Sequence, residues 1–174
     1  GFKNQNCRVL GIEPAQNIAD MAILKGIDTK IDFISPSLAR AIVTDFGKAD
    51  AVCITNVFAH IHDLDDLMIS VDTMLSKNGG FVIEAPHFLS LVEHLEYDTI
   101  YHEHLLYITI KPLNSLFAKY DFVVTDVKKV SIHGGSVRIY VSRAGVRDVS
   151  PNVEIVVQEE IAAGLFDIEN LREF

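Results

Sequence analysis

The chain has 174 residues, 49% of them hydrophobic, and a formal net charge of −9 at pH 7. That length suits one domain, or one domain and the start of another, with ample apolar side chains for a buried core. The negative charge argues against a nucleic-acid backbone or an anionic membrane as partner, and neither a membrane-length apolar run nor a secretory leader is evident, so a cytoplasmic protein is expected.

In chain order, "CRVLGIE" (7–13) reads as a short strand ending in an acid, followed by Pro14 and the helical pattern "AQNIADMAILKG", which Gly26 closes. "IDTKIDFI" reads as a second strand. "SPSLARAIVTDFG" carries its own boundaries, with Ser35 as N-cap, Pro36 at the first helical position and Gly47 as terminator. "ADAVCITN" (49–56) is a continuous run expected of a parallel strand buried on both faces, which makes Cys53 a buried, reduced thiol; neither it nor Cys7 has CxxC spacing. "DLDDLMISVDTMLSKNGG" is predicted to be an amphipathic helix, with Leu64, Leu67, Met68, Val71 and Leu75 on one face, ending in an "NGG" turn. "FVIEAP" (81–86) is the next buried strand, so strand and helix alternate through residue 86 and predict an α/β layer.

Beyond Pro86 the rhythm changes. "HFLSLVEHLE" and "KPLNSLFAKY" read as helices, and "DFVVTDVKKV" and "SVRIYVSRA" as two strands joined by "SIHGG". In the second strand Val137, Ile139 and Val141 alternate with Arg138, Tyr140 and Ser142, the pattern of a half-exposed antiparallel strand. The chain opens without Met, and "AAGLFDIENLREF" ends inside a helical pattern, so an internal piece of a longer protein is expected.

Four stretches carry chemistry. Glu13 ends a strand at the position where an acid can accept both hydroxyls of an adenosine ribose; a solvated loop acid is the plainer reading. "ITNVFAHIHDL" leaves the central strand through Asn56 and presents His60 and His62 where a doubly wound sheet faces its ligand, unless His60 is a satisfied structural histidine. "YHEH" (101–104) admits three readings: a metal site, a general base oriented by a neighbouring carboxylate or phenol, or a hydrogen-bonded polar loop. In extended chain Tyr101 and Glu103 share one face and His102 and His104 the other, whereas a turn changes these relations. In "SIHGGSVR" the glycines suit either an anion-accepting nest or a hairpin turn, the hairpin being the simpler.

Together, "VLGIEPA", "NVFAHIHDL", "NGGFVIEAP", "YDTIYHEHLLYIT" and "HGGSVRIYVSR" resemble the sugar C-methyltransferase family, over nearly the whole chain. "YHEH" followed by "HGGS" is the specific part. The resemblance implies a Rossmann-like S-adenosylmethionine (SAM) methyltransferase sheet, mostly parallel with a C-terminal antiparallel pair. Residues 1–148 would form the methyltransferase core, and 149–174 the start of a C-terminal sugar-nucleotide-binding domain. It further implies His104 as general base with Tyr101, Glu103 and His60 around it. Glu13 and Pro14 would lie at the ribose and Asn56 at the methionine end of SAM. The family's glycine-rich SAM loop with its first strand, and its Cys-rich zinc-binding domain, have no counterpart here; zinc is expected only in that domain, and none of the quoted residues is expected to hold metal.

The implied substrate is a small nucleotide-linked 4-keto-deoxysugar, methylated on a carbon next to the ketone. Neutral imidazole accepts a proton at physiological pH, which suits the formation of an enolate there. The rival readings are a metal-dependent hydrolase or lyase built on "YHEH", a nicotinamide oxidoreductase, and a non-catalytic binding module on the same fold.

Overall fold

The computed structural model of the protein describes residues 1–172. β1 (Leu10–Ile12) runs into α1 (Gln16–Leu24) and returns as β2 (Asp28–Lys30), parallel to it. Lys25 caps α1, and Gly26 follows at φ 73°, a conformation that costs an L side chain free energy but not glycine. α2 (Pro36–Phe46) begins as its sequence demands: the Ser35 hydroxyl accepts the Leu38 N–H at 3.2 Å, and Pro36 opens the helix. Its last turn closes on Gly47 at φ 78°, whose N–H donates to the Val43 carbonyl at 2.9 Å.

β3 (Ala49–Thr55) leads to α3 (Leu64–Met74), whose N-cap Asp63 accepts the Asp66 N–H at 2.8 Å. The chain then enters β4 (Leu75–Pro86) directly. Here the helix ends earlier than its apolar spacing predicts. Leu75 pairs with Ala49 and Gly80 with Ala51, so residues 76–79 bulge out opposite the single Asp50. The expected "NGG" turn is therefore a bulge within β4, and Gly79 permits it. A Cβ there would lie 2.8 Å from the Leu75 side chain and 3.1 Å from the Ala49 carbonyl.

α4 (Phe88–His94), α5 (Ile110–Ala118), β5 (Phe122–Val130), β6 (Ser136–Arg143), α6 (Pro151–Ala162) and α7 (Ile168–Leu171) complete the described chain. The helical pattern expected at the C-terminal end is interrupted at Gly164, φ 72°, between α6 and α7. Among the described residues no helix is long and apolar enough to cross a membrane.

Two sheets result, β1–β2 and β3–β4–β6–β5. β3 and β4 are parallel, whereas β6 lies antiparallel between β4 and β5. The α/β plan holds, but the sheet is mixed rather than one parallel array with a terminal pair. α2 spans the two pieces, packing Ala39 and Ile42 against Leu10, Ile12 and Val52.

One face of the larger sheet is covered. Phe81, Ile83, Val137, Ile139 and Val141 meet Leu67, Met68 and Val71 of α3, Leu113 and Phe117 of α5, and Val153, Val156 and Val157 of α6. Phe81 and Phe117 pack edge to face with centroids 6.4 Å apart. Each such side chain, fully buried, contributes about 1.5–3 kcal/mol. The opposite face is open along β3, where Ala51, Cys53 and Thr55 are exposed. Cys53 is thus not the buried thiol its apolar run predicts: period-two alternation sends it to the uncovered face. Partial desolvation still raises its pKa, which disfavours the reactive thiolate.

Candidate active site

Parallel strands β1 and β3 each deliver a polar residue just past the carboxyl end. After β3, Asn56 takes a left-handed conformation, φ 54°, tolerated by Asn better than by most residues. Its N–H donates to the Glu84 carbonyl at 2.8 Å, while its side-chain Oδ1 is buried without a hydrogen-bond partner among the described residues. A buried amide oxygen left unpaired is costly and marks a place for a donor. After β1, the Glu13 N–H donates to the Lys30 carbonyl at 3.0 Å, and Glu13 Oε1 accepts the Ala15 N–H at 2.8 Å. The carboxylate thus steadies the start of α1 with one oxygen. Pro14 between them is exposed.

Past Asn56 the chain makes a short 3-10 turn, Phe58–His60. Phe58 and Ala59 are buried, which anchors the turn and leaves His60 on the outside. The "YHEH" stretch is also a turn: the His104 N–H donates to the Tyr101 carbonyl at 3.0 Å. That geometry sets Tyr101 and His104 side by side, with ring centroids 4.4 Å apart. The two turns are stitched together by the Leu105 N–H, which donates to the Ala59 carbonyl at 2.9 Å, and His60 and His104 come to a centroid separation of 4.9 Å.

The hydrogen bonds define both imidazoles. His104 Nδ1 donates to the Thr99 carbonyl at 2.8 Å, and His60 Nδ1 donates to the Glu103 carbonyl at 2.8 Å. A carbonyl oxygen only accepts, so Nδ1 carries a hydrogen in each ring, and in the neutral imidazole the lone pair therefore lies on Nε2. The Tyr101 hydroxyl donates to His104 Nε2 at 3.3 Å. Glu103 reaches the site through its main chain; its carboxylate is exposed and makes no hydrogen bond or ion pair to a described residue. His102 is exposed, its ring 6.3 Å from that of Tyr101.

The residues of "YHEH" are not arranged as a ligand set: no group of three or more His, Cys, Asp or Glu among the described residues converges to hold a metal ion. "SIHGG" forms the hairpin connection between β5 and β6. A Cβ at Gly134 would fall 1.8 Å from Glu96 Oε1, and one at Gly135 2.4 Å from Ser90 Oγ, so the glycines let α4 and its exit approach. Arg138 beyond them pairs with Glu84 across β6 and β4 at 2.6 Å.

One polar pair has no counterpart among the expected site residues. His87 Nε2 meets Glu160 Oε1 at 2.9 Å, with both side chains almost fully buried. The sequence carried a signal for it. Val153, Val156, Val157 and Glu160 follow i, i+3, i+4, i+7 spacing, which puts a carboxylate on the buried face of α6.

Strand–helix units with polar groups beyond the strand ends, and an antiparallel strand inserted in the sheet, make a Rossmann-like α/β protein. Residues 2–127 match the family described as methyltransferase domain. The chain belongs to that family. The chain is 32% identical to C-methyltransferase NovU of Streptomyces niveus over 99% of its own length, but spans only 41% of NovU. Among solved structures, it resembles a SAM-dependent methyltransferase from Anabaena variabilis at TM-score 0.60 and 19% identity, covering 82% of this chain and 71% of that one. It also resembles magnesium protoporphyrin IX methyltransferase ChlM from Synechocystis PCC 6803, solved with bound SAH, at TM-score 0.55 and 13% identity, covering 78% and 64%. These structural likenesses speak to the fold.

Proposed function

We propose that the chain is the core of a SAM-dependent C-methyltransferase acting beside the ketone of a nucleotide-linked 4-keto-deoxysugar. In this reading residues 1–148 form the catalytic core and 149–174 begin the part that holds the sugar nucleotide. The observation that carries the reading is the Thr99–His104 hydrogen bond, which leaves His104 Nε2 as a base beside Tyr101 and His60. The name of the NovU relative supports methylation at carbon.

The residues fit the cofactor. Asn56 Oδ1, buried and unpaired, offers an acceptor to the amino group of the methionine part, and Glu13 offers a carboxylate oxygen to the ribose hydroxyls. Pro14 shapes the turn between Glu13 and α1. When bound, SAM supplies an electrophilic methyl group on a sulfonium.

His104 Nε2 removes the proton from the carbon next to the ketone, and its Nδ1–H stays on the Thr99 carbonyl, which supports the imidazolium that forms. Nε2 has one lone pair, so it gives up the Tyr101 hydroxyl as it takes the carbon proton, and the phenolic hydrogen turns to donate to the developing enolate oxygen. His60 has its Nδ1–H engaged by Glu103, so it donates to that oxygen through Nε2 only as an imidazolium. Glu103 therefore orients His60 through its carbonyl, while its carboxylate is exposed.

The test separates deprotonation from methyl transfer. With S-adenosylhomocysteine in place of SAM, the intact protein should exchange the substrate hydrogen next to the ketone with deuterium from solvent. His104→Asn should abolish that exchange. Undiminished exchange in the variant overturns the assignment.

A further inference from the structure

A buried polar assembly joins elements distant in sequence. His87, 1% exposed, follows the last residue of β4, and Glu160, fully buried, projects from α6. Glu160 Oε1 accepts from His87 Nε2 at 2.9 Å and from the Ile110 N–H at 2.7 Å, and Oε2 accepts from the Lys111 N–H at 3.4 Å. His87 Nδ1 is buried without a partner among the described residues, so the ring hydrogen belongs on Nε2, where the carboxylate takes it. Three donors thus surround one buried carboxylate, two of them in the first turn of α5, where the helix dipole favours an anion.

The arrangement answers a local deficiency. Thr109, the N-cap of α5, makes no side-chain cap of its own. The helix is capped from α6 instead. The same place is tied to β4 a second time, since His87 bridges Ile108 and the Phe88 N–H donates to the Ile108 carbonyl at 2.9 Å. The His87 N–H in turn donates to the Gly135 carbonyl at 3.0 Å, which adds the β5–β6 turn to the assembly. Leu105, hydrogen-bonded to Ala59, and His104 lie only a few residues upstream of Ile110. The pair thus adds a buried, charge-assisted footing at the C-terminal root of the "YHEH" turn, beside the main-chain ties of Ile108 to β4.

We infer that Glu160 is a positioning residue: with His87 it anchors the C-terminal root of the 101–104 turn and so sets where His104 Nε2 points. The inference rests on the reading of His104 as the base. It adds that α6, at the far end of the described chain, governs the placement of that base without touching substrate.

The test uses the intact protein with Glu160→Gln, which keeps the volume but turns an amide donor toward groups that themselves donate. Hydrogen exchange is followed by mass spectrometry on peptides covering 101–111, with those covering 64–74 as the internal reference. Exchange in 101–111 should quicken at least about tenfold, as expected on losing hydrogen bonds to a charged acceptor, with the reference unchanged. The kcat should fall by about 10- to 100-fold with KM for SAM within about twofold, as for a base displaced on the ångström scale. Glu160→Asp, which keeps the charge, should recover part of kcat.

Unchanged kcat, or loosening of both regions together, overturns the inference. If Glu160→Gln does not fold, His87→Gln is read the same way, and failure of both to fold also overturns it by making the pair a general requirement of the core. His104→Asn keeps the two readings distinguishable. Full activity in that variant removes the base assignment, while the exchange pattern of Glu160→Gln still decides the anchoring.

Discussion

His104 and Thr99 are joined by a 2.8 Å hydrogen bond from imidazole Nδ1 to the backbone carbonyl five residues earlier. The bond places the ring's lone pair on Nε2, next to the Tyr101 hydroxyl and across from the His60 ring. A side chain held by its own loop's main chain is oriented before any substrate arrives, which is what a general base requires.

His104→Asn in the intact protein should lower kcat by about 10²- to 10⁴-fold, the usual worth of a positioned base, with SAM affinity unchanged. Tyr101→Phe should lower kcat less and leave the ring in place, because Thr99 alone sets the tautomer. Steady-state kinetics and calorimetric titration with SAM check both. A Tyr101→Phe loss as large as that of His104→Asn would contradict this ranking of the two side chains.

Asn56 combines a positive φ with a buried, unpaired Oδ1, so the two roles can be separated by substitution. Asn56→Gly keeps the backbone conformation and removes the acceptor. The Kd for SAM should rise at least about tenfold, as for a lost hydrogen bond to a charged group, with Tm little changed. Asn56→Ala should add a backbone penalty of about 1–2 kcal/mol, seen as a lower Tm. Equal SAM affinity in Asn56→Gly contradicts the placement.

Glu84 is 8% exposed and pairs with Arg138 through Nε and a terminal nitrogen at 2.7 and 2.6 Å. The neighbouring Glu84 pushes the Arg138 guanidinium above its ordinary range. Arg138→Met should destabilise the fold by about 1–3 kcal/mol, below the fully buried case because the guanidinium is partly solvated. Most of that cost comes from the carboxylate left unpaired, so adding Glu84→Gln should recover much of it. Denaturant unfolding of the two single variants and the double checks this, and strict additivity would refute it.

Tyr120 donates its hydroxyl to the Asp65 carboxylate. That hydrogen bond, followed by desolvation and the charges of Asp65 and Asp63, pushes the phenol from 10.0 up to about 12. The folded value exceeds the unfolded one, so the stabilisation is fully present below about pH 10 and is lost as pH rises through about 12. Ultraviolet titration should show a late-ionising tyrosine that Asp65→Asn returns to the ordinary range, and a titration curve unaltered by Asp65→Asn would contradict the assignment.

The local parts of this fold are legible in the residues themselves. Ser35, Pro36 and Gly47 bound α2 because caps and φ restrictions act within a few residues. Asp63 starts α3 for the same reason, and the alternation of Val137, Ile139 and Val141 with Arg138 and Tyr140 orients β6. The residues of the candidate site were legible as candidates as well: Asn56, His60, Tyr101 and His104 stand out as polar groups beside apolar runs. Their relations were not, because they depend on contacts between segments about 40 residues apart, as in the His60–Glu103 bond.

Tertiary structure alone decided that "YHEH" is a turn rather than a strand, so that Tyr101 meets His104 and Glu103 acts through its carbonyl. It alone turned "NGG" into a bulge opposite Asp50 and inserted β6 between β4 and β5. It also joined His87 to Glu160 across 73 positions. Propensity and periodicity are short-range preferences of the backbone and of burial, whereas these choices follow from which distant donor can satisfy which buried acceptor.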